Sequence, residues 1–312
     1  MTSGIVMIGH GTKDAEGVAE FLGYVQGIRE RFGGVVEGGV LEYPTPELPT
    51  VQCAFDRVLS QGVDDVIALP LFLFFAGHTQ GDLPEQLAEA QARYPDVPIM
   101  LAGPLGVDER LLEALEERLS GCDQDARTAV LLVGRGSLNS EANADLHKIA
   151  RMLWDRNHYG WVEASFISVA PPGVPEGLER CVRLGASRVI VAPYFLNTGV
   201  LVKRITRQAR HPKAEVVVVE HLGLHDNVFD VLWERVLQAQ QGMCACQASI
   251  PCRIPGLRCP RSARCTPIVD LDGVFQALPD VISPPPQSDP TNFVAPRPNP
   301  KNPLLPQRER VR

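Results

Sequence analysis

The chain has 312 residues, 45% hydrophobic and 21% charged, a globular balance that argues against wholesale disorder and has the length of about two domains. Thirty basic against 37 acidic side chains leave a net charge of −7 with no basic stripe, so no nucleic-acid partner is expected. The longest apolar run, Val66 to Gly77, is broken by Pro70 and falls short of the ~20 residues that cross a bilayer; the opening MTSGIVMIGHGTKD lacks the basic-then-apolar order of a secretion signal. The expectation is a soluble cytoplasmic protein with no membrane partner.

In chain order, strands are predicted near 4–9, 36–42, 65–72 and 97–102, and helices near 14–32, 47–61, 82–94 and 108–120. Continuous apolar strands alternating with amphipathic helices indicate a parallel sheet covered on both faces. The pattern then repeats. GIVMIGHGTKD (4–14) aligns with AVLLVGRGSLN (129–139), GVDDVIALPLFLF (62–74) with GASRVIVAPYFLN (185–197), and the stretch 97–119 with 214–237. An offset of about 120 residues is a duplicated domain rather than a solenoid. The fold class is therefore α/β: two tandem doubly wound parallel-sheet domains, 1–122 and 123–241, followed by a Cys-rich segment, 242–267, and a Pro-rich tail, 268–312. Nine prolines between Ser283 and Pro306 predict an extended, largely disordered tail.

Open parallel sheets bind ligands beyond the carboxyl ends of their strands. In the first half three chemistry-bearing residues fall there: His10 after the first strand, Glu42 at the end of the second, and His78 after the third. Two imidazoles can hold a divalent transition metal or accept protons, and a carboxylate adds a ligand or base. Any one of them alone reads more simply as a residue bonded to its own loop; three at strand ends of one half read as a site. The second half places Arg135 opposite His10 and Leu201 opposite His78, and matching Glu42-Tyr43-Pro44 to Val169-Ala170-Pro171 places Val169 opposite Glu42. That half keeps the scaffold, loses the His/Glu/His set and offers cations, Arg135, Lys203 and Arg204, to which Lys13 adds one beside His10. These four are the candidates for binding substrate carboxylates. A solvated basic helix face accounts equally well for Arg207 and Arg210. Gly9-His10-Gly11-Thr12 has neither nucleotide-loop spacing, so nucleotide binding is rejected.

The GHG after the first strand, the Glu ending the second and the PLFL…GH after the third together resemble the class II tetrapyrrole chelatases. More narrowly, residues 4 to about 240 are similar to the long-form sirohydrochlorin chelatases of the cobalt-inserting type. The resemblance implies ATP-independent insertion of a divalent metal, cobalt first with Fe²⁺ or Ni²⁺ as further substrates, into sirohydrochlorin during cobalamin biosynthesis. It makes His10 and His78 the metal-handling catalytic residues and Glu42 the acidic one. It also implies a lyase that forms metal–nitrogen bonds. Short members pair two chains where long members fuse two copies, so a monomer is expected. The alternatives are a sirohydrochlorin ferrochelatase for siroheme synthesis and a non-catalytic metal or tetrapyrrole carrier.

Five of the eight cysteines, Cys244, Cys246, Cys252, Cys259 and Cys265, fall within 22 positions. In a cytoplasmic chain that density points to metal or redox chemistry more than to disulfides, although the spacing matches neither a zinc ribbon nor a ferredoxin run. Some long-form chelatases carry an iron–sulfur centre near Met-x-Cys-x-x-Cys. This chain reads Met243-Cys244-Ala245-Cys246, which leaves an iron–sulfur cluster, a zinc site, a metal-holding appendage and plain reduced thiols all open.

Overall fold

The computed structural model describes residues 2–74 and 78–243, of which 78–81 by backbone alone. The five clustered cysteines and the Pro-rich tail lie outside the described residues.

The first half runs β1 (Ser3–Gly9), α1 (Ala15–Phe32), β2 (Val36–Val40), α2 (Val51–Leu59), β3 (Asp65–Pro70), α3 (His78–Arg93), β4 (Ile99–Leu101) and α4 (Glu109–Leu119). The second repeats it: β5 (Thr128–Gly134), α5 (Ser140–Arg156), β6 (Trp161–Phe166), α6 (Val174–Arg183), β7 (Arg188–Pro193), α7 (Val200–Gln208), β8 (Glu215–Val218) and α8 (Asp226–Gln240). Each half is a parallel four-stranded sheet, β2-β1-β3-β4 and β6-β5-β7-β8. The expected doubly wound α/β repeat is thus what forms. Two neighbours of β1 lie on opposite sides of it, so the chain leaves β1 and β3 in different directions and opens a crevice at their carboxyl ends.

Local signals explain where the helices start. Asp14 accepts from the Glu16 and Gly17 amides to cap α1, Thr50 caps α2, Asp108 caps α4 and Asn139 caps α5, each satisfying donors that the first helical turn leaves unpaired. Helix α3 begins four residues before the expected start at Asp82 and holds Pro84 inside it, where the ring removes the donor that would bond back to residue 80.

β1, β3, β5 and β7 are buried on both faces, which is why they read as unbroken apolar runs. One face of the first sheet packs on α2 and α3, and one face of the second on α6 and α7. The other two faces share a single core that includes Tyr24, Ile28, Leu69, Leu115, Leu146, Tyr194, Val231 and Val236. That shared core comes from an exchange of the last helices. α8 lies on α1 and β3 of the first half, whereas α4 lies against α5 and α8. Tyr24 meets Phe229 at a ring-centroid distance of 5.3 Å, and Phe32 meets Trp233 at 6.4 Å. Arg235 donates to the carbonyls of Pro104 at 2.8 Å and Leu105 at 2.7 Å; Arg118 in α4 donates to the Leu222 carbonyl at 2.9 Å. No helix among the described residues is long and apolar enough to cross a membrane.

Candidate functional site

The crevice of the first sheet is built by two loops zipped together through their backbones. His10 leaves β1, and its carbonyl accepts from the Glu42 amide at 2.8 Å while the Gly9 carbonyl accepts from Leu41 at 3.0 Å. Gly11 follows at φ 99°. A Cβ there would lie 1.8 Å from the Glu42 carbonyl oxygen, so only glycine permits the loops to close. Tyr43 then takes φ 53°, and the chain turns towards Thr50 and α2.

This geometry brings His10 and Glu42 together, with His10 Nε2 3.9 Å from Glu42 Oε1 and both side chains about one-third exposed at 29% and 36%. Both side chains are partly exposed at the rim, whereas the His10 Nε2 atom itself is buried. His78 opens α3, on the stretch of chain that leaves the carboxyl end of β3; its side chain is not among those described. Among the described residues no third His, Cys, Asp or Glu joins a metal-holding group. Cys181 is fully buried in the core beneath α6, away from the rim, and burial pushes its thiol up to about 12.

The candidate cations divide. Lys13 Nζ stands 4.7 Å from the centroid of the Tyr43 ring, a cation–π arrangement at the edge of the site. Arg135 and Arg204 are exposed. Lys203 reaches back to the first half, 2.6 Å from Asp14 and 2.9 Å from Glu16, so two carboxylates neutralise it in place. The Asp14 carboxyl is held below its ordinary value chiefly by the hydrogen bond from Lys203, and Lys203 is raised in return.

The same loops in the second half correct one correspondence. The Ser168 amide donates to the Arg135 carbonyl at 3.0 Å, the Ile167 amide to Gly134 at 2.9 Å, Gly136 takes φ 87° and Val169 φ 48°. Ser168 therefore stands opposite Glu42, and Val169 opposite Tyr43 rather than Glu42. The matching prolines misled because the two loops differ in length: the bridge that closes them pairs Val40 with Thr50 in one half but Phe166 with Gly173 in the other.

The sequence reading missed the contacts that fix the second half against this site. One oxygen of Glu20, on α1, accepts from the Thr198 amide. The other is 2.9 Å from His221 Nε2. A Cβ on Gly17 would lie 2.7 Å from the Thr198 carbonyl. The cap Asp14 is legible in Thr12-Lys13-Asp14 before a helical pattern; nothing local marks Glu20, whose partners lie in the other repeat.

Two copies of an open α/β sheet, of which only the first bears imidazole and carboxylate at its crevice, and neither a nucleotide loop, define a duplicated α/β protein with a one-sided site. Family comparison gives that class its name: the CbiX family model matches residues 4–122 and 129–239, and the chain belongs to that family. It is 35% identical over 249 residues to a sirohydrochlorin cobaltochelatase of Priestia megaterium, covering 76% of this chain and 80% of that one. To a sirohydrochlorin ferrochelatase of the same organism it is 29% identical over 238 residues, covering 74% and 88%. Among solved structures it is similar to the sirohydrochlorin chelatase SirB from Bacillus subtilis subspecies spizizenii in complex with cobalt, with a TM-score of 0.66 at 27% identity over 78% of this chain and 97% of that one.

Proposed function

We propose that the chain is a sirohydrochlorin chelatase that inserts cobalt, without ATP, into the ring and so forms metal–nitrogen bonds on a route to cobalamin. The observation that carries the reading is the partly exposed His10–Glu42 pair at the crevice between β1 and β3. The family membership supplies the tetrapyrrole. The preference for cobalt rests on greater identity to the cobaltochelatase than to the ferrochelatase over comparable spans.

The chemistry asks for two services. A hydrated divalent ion must exchange water for ring nitrogens, and the two pyrrole N–H protons must leave, so that free ring plus M²⁺ gives the metallated ring plus two protons. An imidazole in its neutral form is a donor for a divalent transition metal, and His10 and His78 would supply two of them to the arriving ion. Glu42, 3.9 Å from the His10 ring, is placed to take up a released pyrrole proton on its carboxylate. Neither service requires a nucleotide. Arg135, Arg204 and Lys13 supply positive charge for the peripheral carboxylates; Lys203 contributes by fixing the wall on which Arg204 stands.

An anaerobic assay following the visible spectrum of sirohydrochlorin with Co²⁺ or Fe²⁺ tests this. Multiple turnovers, faster with cobalt and abolished in His10→Ala at unchanged thermal stability, are expected. Faster insertion of iron would make the chain a ferrochelatase, the second reading that the 29% relative supports. Stoichiometric binding with no turnover would make it a carrier.

A further inference from the structure

The second sheet has its own crevice, with the same backbone as the first and none of its metal chemistry. Arg135 replaces His10 and Ser168 replaces Glu42 in matched hydrogen bonds. These two changes add a positive charge and remove a negative one, which favours an anionic ligand. The apolar residues there are unusual. Leu138 is 92% exposed, Val200 65% and Val169 55%, the three highest values among the large hydrophobic side chains described. Single exposed apolar residues are ordinary. Here all three follow the carboxyl ends of the three adjacent strands β5, β7 and β6, the edge where such sheets take ligands. The loops after β5 and β7 lead to helices packed on different faces of the sheet, so Leu138 and Val200 belong to the two lips of one crevice.

The left-handed turn is common to both halves, Tyr43 at φ 53° and Val169 at φ 48°, but only the second half fills it with a β-branched residue. A β-branched residue at φ 48° is strained in the left-handed region, and such strain collects at ligand-holding positions. An asparagine or glycine would relieve it and leave no apolar side chain. This rim also adjoins the first one: the Thr198 carbonyl sits against Gly17, the Gly199 backbone near Thr12, and Lys203 on Asp14.

We propose that the rim of the second half is a holding surface for the macrocycle, where Leu138, Val169 and Val200 take an apolar face of the ring and Arg135 takes a peripheral carboxylate. The first rim handles metal and protons. The assignment rests on the chelatase reading for the identity of the ligand.

The test is a titration of the full-length protein with metal-free sirohydrochlorin, read by the ring's absorption, in Val169→Asn, Leu138→Asn and Leu184→Asn. Leu184 is also exposed, at 44%, but follows α6 at the opposite edge of the sheet. Val169→Asn is expected to melt at or above the wild-type temperature, because asparagine tolerates the left-handed region. It should nonetheless weaken binding roughly threefold to tenfold, the scale of one lost apolar contact. Leu138→Asn should weaken binding alike, Leu184→Asn should not, and KM for cobalt should stay unchanged in all three. Unchanged binding in both rim variants, or an equal loss in Leu184→Asn, overturns the assignment. Wild-type protein that binds the ring without inserting metal overturns the chelatase reading alone, since the rim is still read from the titration; wild type that binds no ring overturns both.

Discussion

The ammonium of Lys203 crosses from the second half to sit 2.6 Å from Asp14, whose carboxylate also caps α1 four residues after His10. This fixes what acid does to the joint. A carboxyl held below its ordinary value stabilises the folded chain at every pH above the unfolded pKa of about 3.9 and stops doing so as pH falls through its lower folded value. Lys203→Met removes the largest cause of that depression. The variant should therefore melt slightly below wild type at pH 6, and the gap should close as pH falls below about 4. Lys203 is half exposed, so the gap should also shrink in added salt. Melting curves at pH 6 and pH 3, each at low and high salt, check it; a gap that stays the same in acid and in salt would show that Lys203 acts by packing instead of charge.

At the scale of elements, α1 links the two halves. Its cap Asp14 and its first-turn Glu16 hold Lys203, and Glu20 holds the Thr198 amide and His221. Glu20→Ala would leave a part-buried amide and an imidazole without their acceptor, at a cost of about 1–3 kcal/mol. The urea midpoint should fall accordingly. Glu20→Gln, which keeps a carbonyl oxygen for Thr198, should recover part of the loss; equal losses in the two variants would assign the effect to charge alone.

The elements themselves were legible in the sequence for reasons tied to burial. The runs IVMIG and VLLVG are apolar without alternation because β1 and β5 are covered on both faces, and that signal is local. His10 and Glu42 were legible as a pair because both follow strands that must lie side by side. The partner of Glu42 in the second half was not, since aligning Pro44 with Pro171 ignores where the backbones bond. It is the left-handed Tyr43 and Val169 that stand in register, and no residue type announces a strained φ. Glu20 was illegible for a different reason: an acidic residue on a helix face reads as solvated unless the distant Thr198 amide is already known to lie against it.

The whole molecule shows why a helix pattern cannot reveal its partner. α4 and α8 read from sequence as the last helix of each repeat, and an amphipathic stripe says that a face is buried without saying on what. In the fold α8 covers α1 and β3, and α4 packs on α5 and α8. The consequence is that the halves are not independent. A chain ending at residue 122 would keep α4 but lose Phe229 and Trp233 from the faces of Tyr24 and Phe32, and the Arg235 bonds to the chain after β4. It would also expose the side of the shared core that holds Ile28 and Leu69, and each such side chain left in water forgoes about 1.5–3 kcal/mol. A domain of that size is stable by only about 5–15 kcal/mol, so a few of them exhaust its margin. Residues 1–122 should therefore not persist as a folded monomer. They should pair two copies, each lending its α4 to the other in the place of α8, or else aggregate. The full chain, in which α8 already takes that place on α1 and β3, should sediment with the mass of one copy. Light scattering behind size exclusion, with circular dichroism on the same fractions, decides it: a folded, monomeric 1–122 would show that the exchanged helix is dispensable to the first half.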